Sequence, residues 1–286
     1  MWIILGLVAA FFTSFQEILN KKASKKINRY VLTWGWWAFA VPFFWIYMKS
    51  QEPVIVDPGF FLLVSVAAIF GSVAMIYYVK AIEAGDLSLS VPILSLSPIL
   101  LLVTSPLITK EVPTTQGIFG VCVIVFGAYC LFFDRKSTDF LAPVRSLISN
   151  KGSKYMLVVI CMFSISGNLD KVGVLKSNTA TYLFHLTIQM TVILTIVMFV
   201  KCKNISQELR KGIPSLILIG LVNAIAYIAQ LLAISMTQVP YLIAVKRSSV
   251  LFTSLYGIFI LREGNLKQRL FGVVVMLAGV LIVSLT

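Results

Sequence analysis

A chain of 286 residues in which 59% of the side chains are hydrophobic and only 12% are charged carries more apolar surface than a soluble fold of this size can hide. An ordinary soluble domain is about a quarter charged, so the composition excludes that class and points to a bilayer. The formal net charge of +13 would suggest nucleic acid in a soluble protein. Here the Lys and Arg residues gather between apolar runs with no aromatic-interleaved basic stretch, which sets nucleic acid aside in favour of membrane topology and contact with anionic headgroups.

A membrane-crossing helix needs about 20 apolar residues. In chain order the expected spans are 2–20, 31–48, 60–82, 88–108, 114–133, 155–175, 179–200, 213–235, 240–261 and 266–285. The first begins Met1-Trp2-Ile3-Ile4 without a basic n-region or a small-residue cleavage site, and is read as a spanning helix rather than a signal peptide. The longest break, 134–154, is polar and basic and contains Pro143; it reads as a linker between a first unit, 1–133, and a second, 155–286.

The two units repeat each other. Glu111, Gln116, Gly120 and Gly127 recur as Glu263, Gln268, Gly272 and Gly279 at an offset of 152. Leu19-Asn20-Lys21 is echoed by Leu169-Asp170-Lys171 at an offset of 150. Five spans per unit is an odd number, so the second copy enters the membrane from the opposite side. The expected fold is an all-α membrane protein of ten transmembrane helices arranged as two inverted five-helix repeats, a common transporter plan.

Seventeen Lys and Arg residues follow the first, fifth, seventh and ninth spans, against Lys49, Lys110 and Lys176 on the other side. The positive-inside rule places the seventeen in the cytoplasm and both termini outside. Short loops without a targeting extension suggest a bacterial inner membrane.

The repeat ends carry a resemblance. A Glu closing the fourth or ninth span, a short polar turn, then Gln-x-x-x-Gly with a second Gly seven residues on, is similar to the drug/metabolite transporter superfamily and within it to the EamA-like ten-helix branch. The resemblance implies transport of a small-molecule substrate, with amino acids, sugars, nucleotide-sugars, drugs and other metabolites among the family's cargoes. It also implies both termini inside, in conflict with the charge count, which is preferred for this chain.

Lys246-Arg247 in the ninth span is the sharpest feature. Each charge at a helix centre costs about 2.5–3.5 kcal/mol even on lenient insertion scales. Either the pair grips an anion, Arg bidentately and Lys as a point charge, or it salt-bridges an acid on a neighbouring helix. Plastid phosphate translocators, distant members of the same superfamily, carry a Lys-Arg pair in the penultimate helix that engages substrate phosphate. That resemblance implies a phosphorylated or otherwise anionic cargo.

Glu17 shares a face of the first span with Thr13 and Lys21. It is a proton-coupling candidate, as the helix-one Glu of small multidrug exporters implies, or an interfacial partner of Lys21. Asn223, Tyr227 and Gln230 fall on one face of the eighth span at i, i+4 and i+7 and would line a polar cavity or bind helices together. Lys80 with Glu83, and Asp170 with Lys171, read as structural pairs. His185 reads as hydrogen-bonded filling. Pro92, Pro98 and Pro106 punctuate the fourth span, and the paired glycines mark close packing.

Cys122, Cys130, Cys161 and Cys202 form no CxxC pair and read as small buried hydrophobes. No metal site or cofactor is expected. The chain contains no P-loop, so a gradient or exchange would drive transport. The expected function is alternating-access transport of a small, anionic or phosphorylated metabolite. The alternatives are a proton-coupled drug or amino-acid exporter and a non-transporting membrane receptor or assembly factor; an enzyme is not expected.

Overall fold

A computed structural model describes residues 1–84, 93–132, 151–252 and 266–286. Glu263, Pro92, most of the expected linker and the far half of the ninth span lie outside the described residues, as does the Gln268 side chain. All regular structure among the described residues is helical. The helices are α1 (Trp2–Ala23), α2 (Arg29–Ala38), α3 (Val41–Lys49), α4 (Pro58–Ala84), α5 (Ser97–Ile108), α6 (Thr115–Phe132), α7 (Lys151–Lys176), α8 (Thr179–Lys201), α9 (Ile205–Ile234), α10 (Val239–Lys246) and α11 (Leu266–Ser284).

Six described segments are long and apolar enough to cross a bilayer: Trp2–Ala23, Arg29–Lys49, Pro58–Ala81, Lys151–Lys176, Thr179–Lys201 and Ile205–Ile234. Their outer faces expose large apolar side chains such as Phe11, Leu62, Ile196 and Phe199. In water so much exposed hydrocarbon would drive association; against lipid chains it is the natural contact.

Five elements depart from the expected spans. The second span is two helices. Pro42 near the start of α3 has no N–H to give the carbonyl of Ala38, and the chain turns at Phe39–Ala40. Helix α7 begins at Lys151, so the last four residues of the expected linker are helical. Helix α9 begins at Ile205, eight residues before the apolar run. Its Glu208 accepts the Asn28 N–H at 2.6 Å, which anchors the polar first turn, and Ile205 and Leu209 pack against the apolar cluster that includes Ile27, Leu32 and Met198.

The ninth span is interrupted: α10 stops at Lys246, the chain turns at Arg247–Ser248, and helix resumes at Ser249. The fourth span carries the same interruption at Ser95–Leu96, and α5 starts at Ser97. Pro98 therefore sits at a helix start, where its missing N–H costs nothing, rather than kinking a helix interior.

The repeats assemble by exchange. α1 packs along α9 and α4 along α7, so the first helix of each repeat lies on the third helix of the other. α5 also meets α7 as α10 meets α1, and α6 pairs with α11. The α6–α11 seam depends on glycine. A Cβ at Gly127 would lie 2.7 Å from the Met276 amide nitrogen and 3.0 Å from the Gly272 oxygen. One at Gly279 would lie 2.7 Å from the Ile124 nitrogen and 3.0 Å from the Gly120 oxygen. The same contacts appear twice at the 152-residue offset, so the sequence repeat is also a spatial one.

Candidate functional site

The two interrupted helices meet, and the charges of the second lie at that meeting. Lys246 ends α10 and Arg247 is its C-cap. Adjacent residues on a helical backbone face different ways, so the two heads leave the axis in different directions. Arg247 reaches Ser97, the first residue of α5, donating from Nε at 3.1 Å and Nη2 at 2.7 Å to the Ser97 Oγ. Lys246 turns to α9, donating from Nζ to Gln230 Oε1 and lying 5.6 Å from the centre of the Tyr227 ring, within cation–π range. Among the described residues neither cation is ion-paired; their partners are an amide, a hydroxyl and a ring. The salt bridge to a neighbouring acid weighed from the sequence does not form there.

The face of α9 supplies the wall. Gln230 and Asn223 are buried and Tyr227 is half-buried. Asn223 accepts from Gln16 Nε2 at 3.3 Å and donates to the Trp36 carbonyl at 2.9 Å. The Trp36 ring nitrogen donates to Asn20 Oδ1 at 2.9 Å, and its ring leans on Tyr78. Trp37 meets Tyr227 edge-on at 5.1 Å. Of the expected residues, Lys246, Tyr227 and Gln230 are therefore in direct contact. Asn223 belongs to a neighbouring network two turns down the same helix. Two acids act on the cations through space: buried Asp170 on Lys246, and exposed Glu17 of α1 on Lys246, Arg247 and Tyr78.

Ser97, Gln16, Trp36, Trp37 and Tyr78 were not among the expected site residues. The tryptophans lie inside an apolar run, where their polar edges leave no pattern. Ser97 is one serine among several, and only the fold brings it to a residue 150 positions away.

Several pairings differ from expectation. Lys171 pairs with Glu111 instead of Asp170 and also donates to the Thr237 carbonyl at 2.8 Å. Asp170 instead accepts from the Tyr182 hydroxyl at 2.7 Å. Lys80 lies over the Tyr77 ring at 4.7 Å, while Glu83 lies beside Tyr30, so the i, i+3 pair does not form. Cys130 and Cys202 are buried, but Cys122 and Cys161 are exposed, because their helix faces look outward into an apolar surface. His185 contacts the Thr181 carbonyl at 2.9 Å and packs edge-on to Phe60 and Phe61.

Comparison with known proteins gives one family. Residues 1–133 and 150–285 match the EamA-like transporter family. The chain belongs to that family. It is a multi-pass membrane transporter of the drug/metabolite transporter superfamily, built from two EamA repeats. A search of curated protein sequences gives no match. A solved crystal structure has a similar fold, with a TM-score of 0.79 over 99% of this chain and 98% of that one at 11% identity. Family membership accounts for the repeated interruptions as one feature inherited by both EamA units, while the cations belong to the second unit alone.

Proposed function

We propose that this EamA protein moves a small anionic metabolite across the membrane by alternating access, and that Lys246 and Arg247 hold the anionic group. One observation carries the reading: two adjacent cations lie at a helix interruption between the repeats, and their described partners are neutral. Gln230, Ser97 and Tyr227 orient the charges without cancelling them. A carboxylate or phosphate entering there gains charge-assisted hydrogen bonds from heads already held in place. The Lys-Arg pair of plastid phosphate translocators supports a phosphorylated cargo.

In this reading ten spans form two inverted five-helix repeats, with the termini outside a bacterial inner membrane. Exposed Glu17, acting electrostatically on both cations, is the proton-coupling candidate. The same carboxylate favours the second reading, a proton-coupled exporter of drugs or amino acids, in which Glu17 would meet a cationic group.

Uptake into proteoliposomes tests the proposal. Labelled phosphorylated and carboxylated metabolites, cationic drugs and neutral amino acids are offered to the native protein and to the Lys246→Gln/Arg247→Gln double variant. Saturable anion uptake, lost in a folded double variant, is the expected result. Uptake of a cation or neutral compound that survives the substitutions would overturn the anion site while leaving transport intact. Absence of flux for every class would favour the receptor alternative.

A further inference from the structure

We infer that the Glu111–Lys171 pair is the latch of a gate, closing one end of the transport path by tying the loop after α5 to the second repeat. The inference rests on the alternating-access reading but concerns residues outside the cation site.

The loop, residues 109–114, belongs to the first repeat, and the groups that hold it belong to the second. Lys171 on α7 is only 4% exposed. It takes the Glu111 carboxylate on one side and the Thr237 carbonyl, in the turn between α9 and α10, on the other. Gln238 in the same turn donates to the Val112 carbonyl at 3.2 Å. The Tyr241 hydroxyl on α10 accepts the Thr114 N–H at 2.8 Å and lies 3.3 Å from the Thr114 Oγ1. Three elements of one repeat thus grip a single short loop of the other.

The loop is shaped to be gripped. Lys110 adopts φ 60°, the left-handed region that non-glycine residues rarely enter. The turn this makes presents Glu111 to α7 while Thr109 bonds back to the Ser105 carbonyl at 2.9 Å. Strain of this kind persists where the surroundings hold it. Deeper along the same seam, Asn168 on α7 reaches Ser105 at 2.7 Å and Thr104 at 2.9 Å on α5. This end of the α5–α7 seam is therefore closed by polar contacts, with the ion pair at its mouth, while Leu100 joins the apolar cluster of Met156, Val159 and Ile160 at the other end.

Polar contacts suit a seam that must part. Apolar surface exposed on opening would oppose it throughout, whereas a carboxylate and an ammonium are re-solvated when water reaches them. The pair is buried on its lysine side and open on its glutamate side; such a pair adds little net stability over an apolar isostere, yet removing the carboxylate alone leaves the buried ammonium without its counter-charge. That combination makes a closed state easily biased by one charge. Lys21 and Glu263 hold the repeat-equivalent sequence positions, but Glu263 lies outside the described residues, so the inference is confined to this end.

Spin labels across the mouth provide the test. Val112 and Met236 are exposed on the two sides of the latch. Each is replaced by cysteine and labelled, with the four native cysteines removed, and the separation is read by pulsed electron resonance in lipid nanodiscs. A dominant short separation is expected for the native latch. A longer population should grow in Glu111→Gln and in Lys171→Met, and the short one should return in the charge-swapped Glu111→Lys/Lys171→Glu variant and persist in Lys171→Arg.

Cross-linking the Val112→Cys/Met236→Cys pair provides a second readout in a chain with the latch intact. Proteoliposome flux of labelled glycerol 3-phosphate, or of whichever anion the uptake screen identifies, should stop on oxidation and recover on reduction. Latch variants that keep the short separation, or flux that continues through the cross-linked pair, would overturn the gate and leave a static brace. Opening of the mouth without flux in any variant would instead sink the transport reading while leaving the latch in place.

Discussion

The two helix interruptions have the same backbone and different chemistry. In the first repeat the Leu96 N–H bonds to the Ile93 carbonyl at 3.0 Å and Ile99 to Leu96 at 3.0 Å. In the second, Ser248 bonds to Val245 at 2.9 Å and Leu251 to Ser248 at 2.9 Å, each 152 residues on. The intervening side chains are Leu94 and Ser95 in one copy and Lys246 and Arg247 in the other. A tightened, i to i−3 bonded turn is thus a property of the repeat and needs no charge to form. The charges make no contribution that the backbone of the turn requires, which supports the proposal that they hold a ligand. The comparison shows where to look for function in a duplicated fold, at positions where equal geometry carries unequal chemistry.

The largest effect should follow from erasing that inequality. Lys246→Leu with Arg247→Ser gives the second interruption the residues of the first. Anion uptake should lose at least a factor of about 100 in kcat/KM, since removing a buried, hydrogen-bonded charge from a binding contact typically costs roughly 2–5 kcal/mol. The fold should survive, because each embedded charge removed relieves about 2.5–3.5 kcal/mol of insertion cost. A lower melting temperature in detergent with unchanged uptake would reverse the argument and make the charges structural.

The glycine seam tests the symmetry itself. Gly127→Ala and Gly279→Ala place a Cβ 2.7 Å from an amide nitrogen in each case, a clash that main chain cannot evade as a side-chain tip can. Each should destabilise by about 1–3 kcal/mol, and by similar amounts, measured as melting temperature in detergent. A large loss for one and none for the other would show that the two halves of the seam are not equivalent.

Much of this was legible in the sequence, for reasons that also explain what was not. Hydropathy marks chain that must lie in lipid, so it found the apolar part of α9 but not its polar start at Ile205, which is fixed by Glu208 and Ile27. It also ran through the turn at Arg247–Ser248, because a broken helix with both halves in the membrane is as apolar as a whole one. Pro42 is the sequence sign of the α2–α3 break, but the residues around it are apolar enough that hydropathy runs straight through it. Helical periodicity placed Tyr227 and Gln230 on one face, and intrahelical spacing is what a sequence encodes directly. The partner of each charge is a different matter. Ser97 for Arg247 and Glu111 for Lys171 lie 150 and 60 residues away, and no local pattern distinguishes them from other serines and glutamates.

A smaller effect separates orienting a charge from cancelling it. Gln230→Glu keeps the shape of the side chain that meets Lys246 and supplies a competing anion. Uptake should fall about tenfold or more, by the approximately 1.4 kcal/mol per factor of ten, and mostly through KM. Gln230→Leu should fall less, because it removes the orienting acceptor without adding charge. Equal losses in the two variants would mean that Lys246 acts through its hydrogen bond alone, and the unequal chemistry of the interruptions would then rest on Arg247.

The smallest effect lies on the ring. Lys246 Nζ sits over the Tyr227 face rather than against its hydroxyl, and such a contact contributes roughly 0.5–1 kcal/mol where it is partly open. Tyr227→Leu should therefore raise KM about two- to fivefold, and Tyr227→Phe, which keeps the face, should leave KM unchanged. In the proposed site the ring steadies the ammonium without an acceptor atom and leaves its remaining protons for a ligand, a role a carboxylate at this position would defeat. If Tyr227→Phe raised KM as much as Tyr227→Leu, the hydroxyl would be the working group. Tyr227 would then join Gln230 as a polar contact to the cargo, and the second interruption would differ from the first by hydrogen-bonding capacity as well as by charge.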